Sequence, residues 1–384
     1  LPVTVSDDNL GRATKGASMS LKARVLLQLA SPLYFDRAVN TLPVNQNTGN
    51  QQELYRSAKT AALAVINSGT YKLIDCRAAT LEQTANNFHQ IIIDKNNSEK
   101  IFTRQFAQKG STNWLVLQHG PNGYHNWSGI TPSHDLVAAF EMADGTLMTG
   151  FSNVGDKKTS NPYLNREPRF SATIGFDGCT WGRVRPADAY PLDPTPLGQL
   201  QCGYYEVSGV ESSVTIKLPP NDTELTFKGL NGIDTRQGPI EDWNGSWTGY
   251  YERKLVDTSV DGQNYAQNVP WTYFRLAEMY LIAAEASVEL NELEDAADYL
   301  DALRNRIGMP DTKTTLTRRG KAFNQADMRE FVRHERFVEL AFEDHRYFDV
   351  RRWMTAPQTA SRKLTGVLVY GLLKPGMTQP KPYI

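Results

Sequence analysis

Cysteine is scarce: Cys76, Cys179 and Cys202 are the only three in 384 residues. Three cannot build a disulfide framework, and their spacing fits neither a zinc ribbon nor a C-x-x-C redox motif. One disulfide in an oxidising compartment and three buried or idle thiols are both open readings. Long apolar runs are missing too; none approaches the ~18–20 residues of a bilayer-spanning helix. Nor is there a charge surplus. Lys+Arg number 41 and Asp+Glu 42, a net charge of −1, whereas a nucleic-acid binder shows a basic surplus or stripe. The runs Lys157-Lys158 and Arg318-Arg319-Gly320-Lys321 are too short to change that and read as solvated loops.

Enzymatic signatures are absent as well. The sequence has no G-x-x-x-x-G-K-[ST] phosphate loop, no G-x-G-x-x-G and no G-x-S-x-G elbow. In Arg333-His334-Glu335-Arg336 a zincin reading fails, because Val338 stands where the second histidine belongs. Alternating Arg and Glu on a helix packed on several sides points instead to buried ion pairs with neighbours such as Arg304 or Arg346. Carboxylates near aromatic loops (Glu141, Asp144, Asp177, Glu241, Asp242) could supply a glycosidase pair ~5–9 Å apart, but acidic loop residues are more often simply solvated. No residue set calls for a cofactor, a metal or catalysis.

What the sequence does have is helical periodicity at both ends and an aromatic, loop-rich middle. Ala13–Leu33 reads as a helix stopped by Ser31-Pro32, and Gln52–Ile66 as a second one closing near Gly69. From Trp271 onward, Phe274, Ala277, Leu281, Ala284 and Val288 form one stripe and Leu293, Ala296, Ala297, Leu300, Leu303 and Ile307 another, an antiparallel hairpin joined at Asn291-Glu292. A further helix spans about Gln325–Phe342. Between these blocks, Gln90–Ile93 and Ser213–Leu218 read as short strands and Ser133–Met142 as the one short helix. The fold class is therefore mostly α: degenerate tetratricopeptide-like helix pairs, with small residues at the crossings, supporting a large irregular region with short strands. The expected organisation is a helical hairpin at 1–70, a loop-rich ligand-facing region at 71–269, a helical scaffold at 270–355 and an irregular segment at 356–384.

Five of the seven tryptophans lie between Trp114 and Trp247. In the run from Trp114 to Trp127, Gly120, Pro121 and Gly123 make a sharp loop that carries Tyr124, His125, Asn126 and Trp127. Sugars present C–H faces that stack on aromatic rings, and Asn and His side chains bond their hydroxyls. The competing reading makes these tryptophans core anchors. A second cluster holds Trp243 and Trp247 among Asn244, Gly245 and Ser246; two tryptophans so placed are hard to bury together, so at least one is expected at the surface. Tyr250 and Tyr251 read as structural, and Trp181 as a weaker third candidate.

Five stretches, in this order, carry a resemblance: Gly11-Arg12-Ala13-Thr14-Lys15-Gly16-Ala17 running to Ala30-Ser31-Pro32-Leu33-Tyr34; Asn161-Pro162-Tyr163 through Arg166-Glu167-Pro168-Arg169-Phe170; Arg275-Leu276-Ala277-Glu278-Met279-Tyr280-Leu281; Leu303-Arg304-Asn305-Arg306-Ile307-Gly308-Met309-Pro310; and Arg333 to Phe342 continuing through His345-Arg346-Tyr347-Phe348-Asp349 to Trp353. Together they resemble the SusD/RagB family, the surface glycan-binding lipoproteins of Bacteroides-type bacteria. The resemblance implies capture of an oligosaccharide at the cell surface, without catalysis, and delivery to a SusC-like TonB-dependent transporter in the outer membrane. It also implies a lipid anchor, further N-terminal helices and a longer C-terminal tail outside this chain. The family's sugar contacts do not lie in these motifs, so the site candidates rest on chemistry and loop placement alone. A glycan-active hydrolase, a protein-binding tetratricopeptide-like adaptor and a peptide ligand stand as alternatives.

Overall fold

The structure, a computed structural model, describes residues 1–106, 114–148, 162–182, 185–186, 198–207, 209, 211–218, 221, 223–236, 238, 240, 243–260, 267–373 and 381–383. Lys157-Lys158, Asn161, Glu241 and Asp242 lie outside the described residues, as does the side chain of Trp114.

Helix α1 (Lys15–Ala30) begins where the Thr14 hydroxyl accepts from the Ala17 amide at 3.3 Å, and it ends at Ser31, held extended before Pro32. In α2 (Gln51–Ile66) the Asn50 side chain caps the amides of Gln52 and Glu53. These two helices and α7 (Leu276–Glu289) meet through Ala23, Leu27, Ala30, Ala58, Ala62, Ala283 and Ala286, all buried. Alanines at the crossings let the backbones approach closely, which is the tetratricopeptide packing logic. The opposite side of α7 presents Ala277, Leu281 and Ala284 to Leu300 and Leu303 of α8 (Leu293–Asn305) and to Phe331 and Val332 of α10 (Gln325–Glu339). Because α7 is buried on both sides, its sequence is apolar nearly all round. Two elements between α8 and α11, α9 (Thr312–Arg318) and α10, are followed by α11 (Arg346–Arg352) and α12 (Ala356–Ala360).

The described residues of the middle region form more helix and strand than the composition suggests. Gln90–Ile93 is the last turn of α3 (Leu81–Ile93), not a strand; Ala85, Phe88, Ile91 and Ile92 fall on one buried side of a helix capped by Thr80. Trp271–Phe274 is strand rather than helix, since β7 (Trp271–Arg275) pairs antiparallel with β1 (Lys100–Arg104) before α7 starts. After α4 (Trp114–Gln118), α5 covers only His134–Ala139, because Phe140 turns extended and Glu141 and Met142 bridge to Leu147 and Arg166. Helix α10 stops at Glu339, short of Phe342, whose φ of 62° cannot continue a helix. Arg318 and Arg319 are not a free loop: they end α9, and Arg319 pairs with the buried Glu141. A short helix α6 (Pro168–Thr173) leads into β2 (Ile174–Gly175), which pairs with β6 (Tyr251–Glu252).

Strands β3 (Tyr204–Val207), β4 (Ser213–Leu218), β5 (Thr223–Asn231), β8 (Tyr370–Leu373) and β9 (Lys381–Tyr383) form a five-stranded sheet in the order β4-β5-β3-β8-β9. Its β3–β8 pair is parallel and joins Tyr204 to Tyr370.

A buried charge network ties the scaffold to the middle region. Glu339 of α10 accepts from Arg275 at 2.7 Å, Arg306 at 2.6 Å and Arg169 at 3.0 Å. One turn earlier, Glu335 accepts from Arg169 and from Arg304. The expected partner Arg304 is therefore present, whereas Arg346 instead lays its guanidinium over the Phe337 ring at 4.2 Å. Burial alone would push the Glu339 carboxyl up, but Arg306, Arg275 and Arg169 outweigh it and hold the group well below the usual carboxylate range. The His334-Glu335 dipeptide is structural: His334 bonds the Ala139 carbonyl.

Candidate functional site

Three turns meet in the middle region. The first is the tight loop after α4, where Gly123 lies so close to the Arg185–Asp234 ion pair that a Cβ there would sit 2.3 Å from Arg185 Nη1 and 2.4 Å from Asp234 Oδ1. Only glycine fits. The second turn spans residues 232–236. The third holds Trp243, Asn244, Gly245, Ser246 and Trp247; Gly245, at φ 122°, rests against the backbone of Thr235 and Arg236.

Hydrogen bonds lock these turns together. Asn122 Nδ2 donates to the Thr235 carbonyl at 3.1 Å, and the Tyr251 hydroxyl faces both Asn122 Oδ1 and the Asp234 carbonyl. Arg185 grips the Asp234 carboxylate through two donors at 3.0 and 2.6 Å, and it covers the Tyr124 ring at 4.6 Å. Thr248 Oγ1 donates to the Pro132 carbonyl at 2.6 Å, which ties the third turn to the start of α5. Beneath lies a core of Val116, Tyr124, Trp181, Leu200, Cys202, Tyr251 and Val256.

The two aromatic runs singled out from the sequence thus share one loop assembly, but their residues fall on different levels of it. Tyr124 and Asn126 are interior. The Tyr124 hydroxyl donates to the Gly198 carbonyl, and Asn126 Nδ2 donates to Val116 O at 3.0 Å. In this conformation neither side chain faces outward, because loop closure uses their polar atoms. His125, at φ 65°, and Trp127 are half-buried at the turn. Trp181 is wholly buried. Trp243 and Trp247 are open, at 66% and 76% exposure, and the Arg236 guanidinium lies over the Trp247 ring at 3.7 Å. Two large rings held outward on a loop that glycine and hydrogen bonds fix in place are costly surface to leave in water. They offer a flat face for a ligand's C–H groups, with Arg236 beside it as a donor.

Arg236, Asn122 and Asp234 did not stand out in the sequence. The only hint was the turn-forming run Gly232-Ile233-Asp234-Thr235-Arg236; nothing in it says that Arg236 reaches a tryptophan.

The carboxylates near these loops are otherwise engaged. Glu141 is buried against Arg304 and Arg319, and Asp144 bonds Thr146. Asp177 is interior, accepting from Tyr205 at 2.6 Å and from the Cys202 amide at 2.9 Å; burial pushes its carboxyl up to about 6, against the pull of those two donors. All three cysteines are free thiols, and burial pushes Cys76 and Cys179 up to about 12. Among the described residues no group of His, Cys, Asp and Glu could hold a metal ion, and no helix is long and apolar enough to cross a membrane.

Stacked helix pairs thus carry a hydrogen-bonded platform of loops from which two tryptophans project. The SusD family model matches residues 88–381, and the chain belongs to that family. SusD-like protein P25 of Formosa agariphila is 37% identical over 246 residues, covering 61% of this chain and 41% of that protein. A SusD-like protein from Bacteroides fragilis superposes with a TM-score of 0.63 at 25% identity, over 93% of this chain and 57% of that one. A SusD-like carbohydrate binding protein from the same species gives 0.62 at 22% identity, over 95% and 57%. The chain therefore spans about half the length of the relatives it matches.

Proposed function

We propose that this chain is the scaffold and ligand-facing part of a cell-surface oligosaccharide-binding protein. It captures glycan without chemistry and passes it to a SusC-like TonB-dependent transporter, anchored to the outer membrane by a lipid outside this chain. The stretch 71–269 is its ligand-facing region, and Trp243 and Trp247, with Trp127 and His125 at the neighbouring turn, are the contacts we favour. The observation that carries this reading is the pair of exposed tryptophans on a rigid loop, one of them stacked under Arg236. Family membership and the carbohydrate-binding description of one structural relative support it. A binding role over hydrolysis is supported by Glu141 and Asp177, whose oxygens are committed to Arg304, Arg319, Tyr205 and Cys202.

The test is titration with a panel of oligosaccharides, assaying reducing ends in parallel. Saturable binding with no new reducing ends is expected. Trp243→Ala and Trp247→Ala should each weaken binding by more than about 1 kcal/mol, the usual cost of removing a ring that anchors a contact. Steady release of reducing ends would refute the reading; undiminished affinity in both variants would move the site elsewhere.

A further inference from the structure

A second polar cleft lies on the helical scaffold, where nothing in the glycan reading places a site. It has a volume of about 350 Å³ and is walled by Pro32, Phe35, Tyr55, Arg329, Arg333 and Met354. Its charge arrangement is incomplete in an informative way. Helix α7 presents Glu285 and Glu289 one turn apart, and α10 presents Arg329 and Arg333 with the same spacing, so two parallel ion pairs are the simple expectation. Only one forms: Arg329 holds Glu289 through two donors at 2.6 and 2.8 Å. Glu285 is taken from the other side, by Arg352 and by the Trp353 indole N–H, each at 2.7 Å.

Arg333 is the cation left over. Among the described residues it has no hydrogen bond and no ion pair; its guanidinium rests over the Trp353 ring at 4.9 Å, and its Nε is buried without a partner. Tyr55, only 3% exposed, lines the same cleft, and its hydroxyl likewise has no partner among the described residues. The Arg333 side chain is half-buried, and its Nε is buried with no acceptor, an orphaned donor whose cost a ligand oxygen in the cleft would recover. The planar, two-oxygen carboxylate is the acceptor that best matches a guanidinium fork. Glu289 and Asp36 also line the cleft, and Asp36 is engaged with the amides of Ala38 and Val39. Those two negative charges disfavour a doubly charged phosphate more than a singly charged carboxylate. Pro32, Phe35 and Met354 supply an apolar wall for the body of the ligand.

We infer that the Arg333–Tyr55 cleft binds a carboxylate-bearing sugar of about one ring, a hexuronate, with Arg333 and Tyr55 donating to its carboxylate. The sugar identity rests on the glycan reading; the carboxylate preference rests on the two unpartnered donors alone. The site is separate from Trp243 and Trp247.

The experiment is calorimetric titration of the whole chain with glucuronate and with glucose. Glucuronate should bind saturably and glucose at least about tenfold more weakly. Arg333→Gln should weaken glucuronate by about tenfold or more, as loss of a charge-assisted bond does, and Tyr55→Phe by about three- to tenfold. The double variant Trp243→Ala/Trp247→Ala should bind glucuronate as the parent does. Absence of glucuronate binding, equal binding of glucose, or affinity indifferent to both Arg333→Gln and Tyr55→Phe would overturn the inference. So would loss of glucuronate binding in the tryptophan double variant. Should Arg333→Gln fail to fold by circular dichroism, Tyr55→Phe, which removes one oxygen, decides alone. Neutral oligosaccharides in the same instrument score the glycan reading separately, because Arg333→Gln should leave their binding intact.

Discussion

The Tyr251 hydroxyl lies 3.2 Å from Asn122 Oδ1, a contact between residues 129 positions apart that pins the loop after α4 to the tryptophan-bearing turn. The same hydroxyl serves the Asp234 carbonyl and accepts from the Ser246 amide at 3.1 Å. Tyr251→Phe keeps the ring but strands buried partners. Urea denaturation should show a loss of about 1–3 kcal/mol. A variant as stable as the parent would mean that the loops hold together without this bond.

Gly123 packs directly against the buried Arg185–Asp234 pair. Gly123→Ala should be far more damaging than a typical surface change, because its Cβ cannot coexist with the Arg185–Asp234 pair at its present place. More than about 2 kcal/mol of destabilisation is expected, the range seen when a buried pair is disturbed. Near-neutral thermal unfolding would show that the pair can shift aside.

Glu339 answers for three arginines at once. Glu339→Gln removes the charge while keeping the shape, and leaves Arg275 and Arg306 competing for one neutral oxygen. Loss of one partner from a buried ion cluster typically costs about 3–5 kcal/mol. Equilibrium unfolding of the variant at neutral pH measures it; a cost under about 1 kcal/mol would mean that the network rearranges around the change.

Asp177 should make stability fall as pH rises in a defined window. Unfolded, its carboxyl ionises near its ordinary value of 3.8; folded, it is pushed up to about 6 by burial. Between those values the folded chain holds a proton that the unfolded chain has released. The native state is therefore favoured at the acid end, and that advantage fades as pH climbs through about 6. The full difference is on the order of 3 kcal/mol. Asp177→Asn retains an acceptor for Tyr205 and the Cys202 amide, so its unfolding free energy should be flatter than the parent's between about pH 4 and 6. Parallel profiles would show that Asp177 is ionised in the native state throughout.

The scaffold was readable because its signals are local. The alternation of Ala with larger apolar residues in α2, α7 and α8 states both the helix and its crossing partners, and Pro32 and Asn291 mark the ends. Gln90–Ile93 misled because three consecutive isoleucines carry β propensity, yet two of them are buried by the helical packing of α3. Trp271–Phe274 misled for the opposite reason: its spacing extends the α7 stripe, and only a strand 167 or more residues earlier in the chain makes it pair. The platform was half legible. That Trp243 and Trp247 resist burial follows from the Gly, Asn and Ser around them. That Tyr124 and Asn126 turn inward depends on Gly198 and Val116, contacts that no local pattern announces.

The parallel pairing of β3 with β8 joins residues 204–207 to residues 370–373. During synthesis residues 370–373 must therefore be made before that sheet can gain its fourth and fifth strands, so the sheet is completed well after residues 204–207 have been made. Until then the Tyr204–Val207 edge stands uncovered, an open template for pairing with another chain. A protein of this design gains from a chaperone that keeps the nascent chain apart from its copies, and its yield on refolding should fall with concentration more steeply than its helical scaffold alone would suggest.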